Sequence, residues 1–118
     1  MEQYKLALVQ MNCAFGEQEQ NRKKAEQYIR EAAKKGAALV CLPESFNGGY
    51  LGSRILDMKA MAEPLDGPSV SHMRSLAAEL HIHIVAPVLY LTENGETENT
   101  AVMIDDEGNV VGTYSKTH

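Results

Sequence analysis

Apolar and polar positions along the chain switch period several times. Tyr4 to Met11 (YKLALVQM) is a short, mostly apolar run and predicts a strand. From Glu17 to Lys35, Ala25, Tyr28, Ile29, Ala32 and Ala33 recur at helical spacing and leave Lys, Arg and Glu on the opposite side. Gly36 is placed to end that helix. Ala37 to Leu42 is continuously apolar and short, as a strand buried on both faces would be. Strand, helix and strand in this order predict a βαβ unit, whose two strands need not be immediate neighbours in the sheet.

Pro43 stops the second strand, and Asn47-Gly48-Gly49-Tyr50-Leu51-Gly52 has loop chemistry. Ile55 to Met61 predicts a short helix. Gly67-Pro68 opens another, with Val70, Met73, Leu76, Ala77 and Leu80 as its apolar stripe. Strands follow at Ile82 to Leu91, Thr97 to Ile104 and Asn109 to Tyr114. An Asn-Gly hairpin signal at Glu93-Asn94-Gly95-Glu96 joins the first two, and Asp105-Asp106-Glu107-Gly108 joins the last two. The expected architecture is α/β with a mixed sheet and flanking helices: a βαβ opening, then antiparallel hairpins.

Composition narrows the partners more than the fold. The 118 residues have room for one domain with a modest core, and no repeat or low-complexity segment divides them. A formal net charge of −5 disfavours a nucleic-acid surface, since that needs clustered cations. Arg22-Lys23-Lys24 and Lys34-Lys35 lie on the first helix and read as its solvated face. No apolar run reaches the length of a membrane span, and Met1-Glu2-Gln3-Tyr4-Lys5 lacks the layout of a signal peptide. Cys13 and Cys41 suggest no disulfide framework, so the cytoplasm is the simplest expected location.

Two residues stand where chemistry could occur. Glu44 follows a buried-type strand and a proline, which should bring it out at the carboxyl edge of the strand, where α/β sheets bind ligands. By local pattern it reads equally as a solvated loop glutamate. Lys116 ends another strand and, taken alone, reads as an exposed terminal lysine. His81 and His83 alternate at a strand start, but without a third ligand they read as ordinary edge residues, and His72 reads as a helix-surface residue. A nucleotide or flavin domain is disfavoured, because Asn12-Cys13-Ala14-Phe15-Gly16-Glu17 contains no glycine-rich phosphate cradle.

The order LVCLPESF, FNGGY, EPLDGPSVSHMRSLAAELHIHIV and NTAVMIDDEGNVVGTYSKTH, after an opening ALVQMN with Asn21 in the first helix, resembles the N-terminal half of the carbon–nitrogen hydrolase (nitrilase) superfamily. The resemblance covers essentially the whole chain. It implies half of an αββα sandwich and two members of a Glu–Lys–Cys site: Glu44, from Leu42-Pro43-Glu44, as general base, and Lys116, from Tyr114-Ser115-Lys116-Thr117-His118, as the lysine that stabilises the oxyanion. Ser115 replaces the family's usual arginine.

The resemblance also implies a substrate-lining role for Tyr50 and a second glutamate whose position falls on Tyr90 or, with a shift, on Glu93. Pro87 is similar to the branch that hydrolyses N-carbamoyl compounds. The family's nucleophile follows the lysine by a few dozen residues, so the nucleophilic cysteine is absent from residues 1–118. Cys41 reads as a small buried hydrophobe and Cys13 as a structural turn thiol.

The expected function is therefore hydrolysis of a small amide, N-carbamoyl compound or nitrile by a partial domain that is inactive alone. It would act in a homo-oligomer or with the missing C-terminal half. No cofactor or metal is implied. The alternative expectation is a truncated, non-catalytic binding or assembly module of the same fold, whose uncovered sheet would associate.

Overall fold

The computed structural model describes residues 4–13, 17–44, 46–47 and 61–115. In chain order they form β1 (Lys5–Leu8), α1 (Gln18–Lys34), β2 (Ala37–Cys41), α2 (Pro68–Leu80), β3 (His83–Leu91), β4 (Thr97–Ile104) and β5 (Val110–Ser115). The strands lie side by side in sequence order in one sheet. β1, β2 and β3 are parallel, whereas β3–β4 and β4–β5 are antiparallel. The mixed sheet is as expected. The opening βαβ unit joins neighbouring strands, and α2 provides a second crossover that makes β3 parallel too.

Both helices cover the same face of the sheet. Ala25 and Ile29 of α1 and Val70, Met73, Leu76 and Ala77 of α2 are buried against Val40, Ile84, Ala86, Val88, Val102 and Ile104. These strand residues alternate along their chains, so one face of the pleat supplies the core. The helices are joined by charge as well as packing. Arg30 bonds Glu26 and Glu79, and His72 meets Glu26.

The other face is apolar and only partly covered: Cys41 and Val85 are half-buried, Leu89 is buried, and Leu6, Leu8 and Met103 are exposed. The register Leu8↔Cys41, Cys41↔Val85 and Val85↔Met103 forms a row across four strands. Leu6 is 57% exposed and Leu8 70% exposed, more than two packed layers would leave on a core face. No helix among the described residues is long and apolar enough to cross a membrane.

Local readings differ from the structure at a few points. β1 ends at Leu8 rather than Met11, although the N–H of Val9 still donates to the Cys41 carbonyl. The expected hairpin at the Asn-Gly signal is present, joining antiparallel β3 and β4, with a loop longer than two residues. Residues 92–96 form that loop, in which Glu96 N–H is held by Thr92 Oγ1 and only Gly95 takes a positive φ of 81°. His81 is not in a strand: it caps α2 in the left-handed region at φ 54°, so it and His83 do not share a strand edge. No group of three metal-ligating side chains occurs among the described residues. Cys41 is half-buried rather than buried, because it faces the open side of the sheet. The helix expected at Ile55 to Met61 lies outside the described residues apart from Met61.

Candidate functional site

The site begins where β2 ends. In a parallel ladder, alternate residues of one strand bond to alternate residues of the next. Leu42 N–H donates to the Val85 carbonyl, so the next bond, to Pro87, would come from residue 44. It comes instead from Phe46, at 3.2 Å. Four residues advance along the first strand while two advance along β3, so two extra residues bulge out, and Glu44 sits on that bulge. Pro87 explains how a central strand tolerates the break. Having no N–H, it leaves no unpaired donor where the neighbouring strand departs.

Beyond the bulge, side chains take over the ladder. The Leu89 N–H donates to Asn47 Oδ1 at 2.9 Å, and Asn47 Nδ2 donates back to the Leu89 carbonyl at 3.3 Å. Glu63 then continues as an isolated bridge beside Tyr90, with its N–H on the Leu89 carbonyl and its carbonyl accepting the Leu91 N–H. The free edge of β3 is therefore paired along its length without a regular strand. Asn47 is fully buried and Glu63 is 7% exposed.

The Glu63 carboxylate accepts four bonds. Oε1 takes the Ser69 N–H at 2.8 Å; Oε2 takes Ser69 Oγ at 2.7 Å, Asn47 Nδ2 at 3.0 Å and Gln18 Nε2 at 3.1 Å. No cation pairs with it among the described residues. Its charge is compensated by these donors and by the N-terminus of α2, whose N-cap Gly67 has no side chain to cap it. Asn21 closes the cluster by donating to the Asn47 carbonyl at 3.4 Å.

Glu44 itself is exposed and opens onto a cleft of about 440 Å³ lined with Pro87, Val88, Asn99, Thr100, Ala101 and Tyr114. The cleft lies on the open face of the sheet and is walled mostly by apolar atoms. Its far side is the end of β5, where Ser115 Oγ and Thr100 Oγ1 share a hydrogen bond at 2.9 Å. Lys116 and Tyr50 lie outside the described residues. A larger groove of about 550 Å³ follows the open edge of β1 beside Tyr28 and Lys35, at the opposite side of the sheet.

Neither expected second glutamate position reaches the cleft. Tyr90 packs against the helix-side core, and Glu93 is exposed in the β3–β4 loop. Neither cysteine lines it. Burial raises the Cys41 thiol above its ordinary pKa, and it raises Cys13 as well, against a smaller opposing pull from Lys24. An activated thiol requires a shift in the other direction.

A carbon-nitrogen hydrolase family model matches residues 5–118. The chain belongs to the carbon-nitrogen hydrolase family. Over 116 residues it is 39% identical to an N-carbamoylputrescine amidase from Oryza sativa subsp. japonica, covering 96% of this chain and 38% of that protein. Over 118 residues it is 30% identical to the omega-amidase NIT2 of Homo sapiens, covering 100% of this chain and 41% of the relative. The crystal structure of a CN-hydrolase superfamily protein from Xanthomonas campestris, with an arsenic adduct in its active site, superposes with a TM-score of 0.85 at 28% identity, over 100% of this chain and 42% of the other. The sequence thus spans about two fifths of the length of these carbon-nitrogen hydrolases.

The sequence singles out Glu44 but not the buried, hydrogen-bonded pair of Asn47 and Glu63. Asn47 stands in a run with loop chemistry, and Glu63 precedes the Gly67-Pro68 helix start. The available signal was an acidic residue shortly before a Gly-Pro helix start with no capping side chain of its own.

Proposed function

We propose that these residues supply the glutamate and lysine of a Glu–Lys–Cys hydrolase that cleaves a non-peptide carbon–nitrogen bond of a small amide, an N-carbamoyl compound or a nitrile. The observation that carries the reading is the Glu44 bulge: a carboxylate lifted out of the sheet at the mouth of an apolar cleft that reaches the end of β5. In this reading Glu44 accepts the proton of a cysteine thiol, passes it to the leaving nitrogen and then activates water. Lys116 stabilises the negative charge that develops on the attacked group, which is worth several kcal/mol in a site closed to water. Tyr50 contributes to the substrate wall.

The thiol comes from chain outside residues 1–118, because Cys13 and Cys41 are neither in the cleft nor activated. The apolar face that carries Leu8, Cys41, Val85 and Met103 would pack against the second sheet of an αββα sandwich, and residues 1–118 are then its N-terminal half. A reduced catalytic thiol fits a cytoplasmic enzyme that pairs through sandwich surfaces. The same open face favours a second reading, in which the 118 residues act as an assembly module without catalysis.

Ammonia release from propionamide, N-carbamoylputrescine and propionitrile distinguishes the two. The 118-residue chain should be inactive, and a family-length protein carrying it should be active. Glu44→Gln and Lys116→Ala should each lower its turnover by roughly 100- to 10,000-fold. Full turnover in either variant rejects that residue's role, and an inactive family-length protein supports the assembly module.

A further inference from the structure

We propose that Glu63 is a positioning residue: its buried carboxylate, acting through Asn47, holds the bulge that presents Glu44. The inference rests on the general-base reading of Glu44. Its structural half stands on the hydrogen bonds alone.

The bulge is anchored at two points. Before it, Leu42 is fixed on Val85; after it, Phe46 is fixed on Pro87 and Asn47 on Leu89. The first anchor belongs to a regular ladder and needs no help. The second depends on the orientation of one side-chain amide. With Oδ1 taken by the Leu89 N–H, Asn47 must direct its Nδ2 at the Leu89 carbonyl and at Glu63 Oε2. A carboxylate is the matching acceptor. Gln18, Asn47 and the Ser69 main chain all point N–H groups at Glu63, so a neutral amide in its place would turn an NH₂ toward at least one of them.

Burial makes that mismatch costly, since neither Glu63 nor Asn47 can turn to water. The frame around the carboxylate is equally closed. A Cβ on Gly67 would lie 2.9 Å from the Pro64 carbonyl and 3.2 Å from Glu63 Oε1. Main-chain pairing of Glu63 to Leu89 and Leu91 fixes it to the strand that receives the bulge. Glu63 and Glu44 are thus referred to one strand, β3, by separate bonds.

The test compares Glu63→Gln and the milder Ser69→Ala in the family-length protein, using the fastest substrate of the panel above. Turnover should fall by roughly 10- to 100-fold in the first and by about 3-fold in the second, with KM changing less than kcat. In a Glu44→Gln background neither substitution should lower turnover further, because the group they position is already gone. Amide hydrogen exchange at Phe46 and Leu89 should accelerate in both variants, while Val40 and Ile84 stay protected.

Unchanged exchange at Phe46 and Leu89 overturns the inference whatever the activity. So does a loss of turnover that persists in full in the Glu44→Gln background, which is what general loss of folded protein would give. If Glu63→Gln does not fold, Ser69→Ala decides by the same two readouts. Full turnover in Glu44→Gln alone rejects the general-base reading, and exchange then still decides whether Glu63 holds the bulge.

Discussion

The side-chain amide of Asn47 donates to the buried carboxylate of Glu63 at 3.0 Å, across sixteen residues of sequence, while its carbonyl accepts the Leu89 N–H. One side chain thereby pairs a strand edge and compensates a buried charge. The pair closes the free side of β3 where β2 has already ended.

Replacing Asn47 by alanine removes all of these bonds together, leaving the Leu89 N–H without its acceptor and Glu63 Oε2 without one of its donors. The expected loss is about 2–4 kcal/mol, larger than for an ordinary surface contact. Urea denaturation of the variant against the parent measures it, and a loss under 1 kcal/mol would mean that water replaces the amide.

Cys13 and Cys41 should alkylate slowly. Their thiols are held above the ordinary range by burial, so iodoacetamide labelling should show both titrating above a free cysteine. Cys13→Ala and Cys41→Ala should leave the turnover of a family-length protein unchanged. Loss of activity in either would bring that cysteine back as a candidate nucleophile.

The open sheet face should make the 118-residue chain associate. Leu8 and Met103 stand in its central row, and lysine at both positions places charges where a second layer would pack. Sedimentation velocity should show concentration-dependent association for the parent and a shift toward monomer for Leu8→Lys/Met103→Lys. A parent that stays monomeric at high concentration would indicate that the face is tolerated in water.

Acid should loosen the pairing of the two helices. Arg30 is the largest cause of the lowered Glu79 and Glu26 pKa values, with His72 adding to the effect on Glu26. A carboxylate whose folded pKa lies below its unfolded value stabilises the fold above the unfolded pKa, and that contribution is lost as pH falls through the folded one. Arg30→Gln should therefore flatten the fall in Tm between about pH 5 and pH 2, read by circular dichroism. An unaltered slope would assign the acid limb to other carboxylates.

Residue order alone determined most of this architecture. Helical spacing in α1 and α2, the continuous run of β2 and the Gly-Pro start of α2 are local signals, because backbone propensity and amphipathic period act over a few residues. Glu44 was legible in the same way, as a carboxylate directly after a strand-ending proline. Other features depended on long-range pairing. The parallel alignment of β3 against β2 made Pro87, whose carbonyl accepts the Phe46 N–H, the partner of a bulge. It also made Asn47, a loop residue by pattern, and Glu63 the hydrogen-bonded substitute for a missing strand. Backbone and side-chain polar groups must be paired once water is gone, and only the folded arrangement decides which distant group does the pairing.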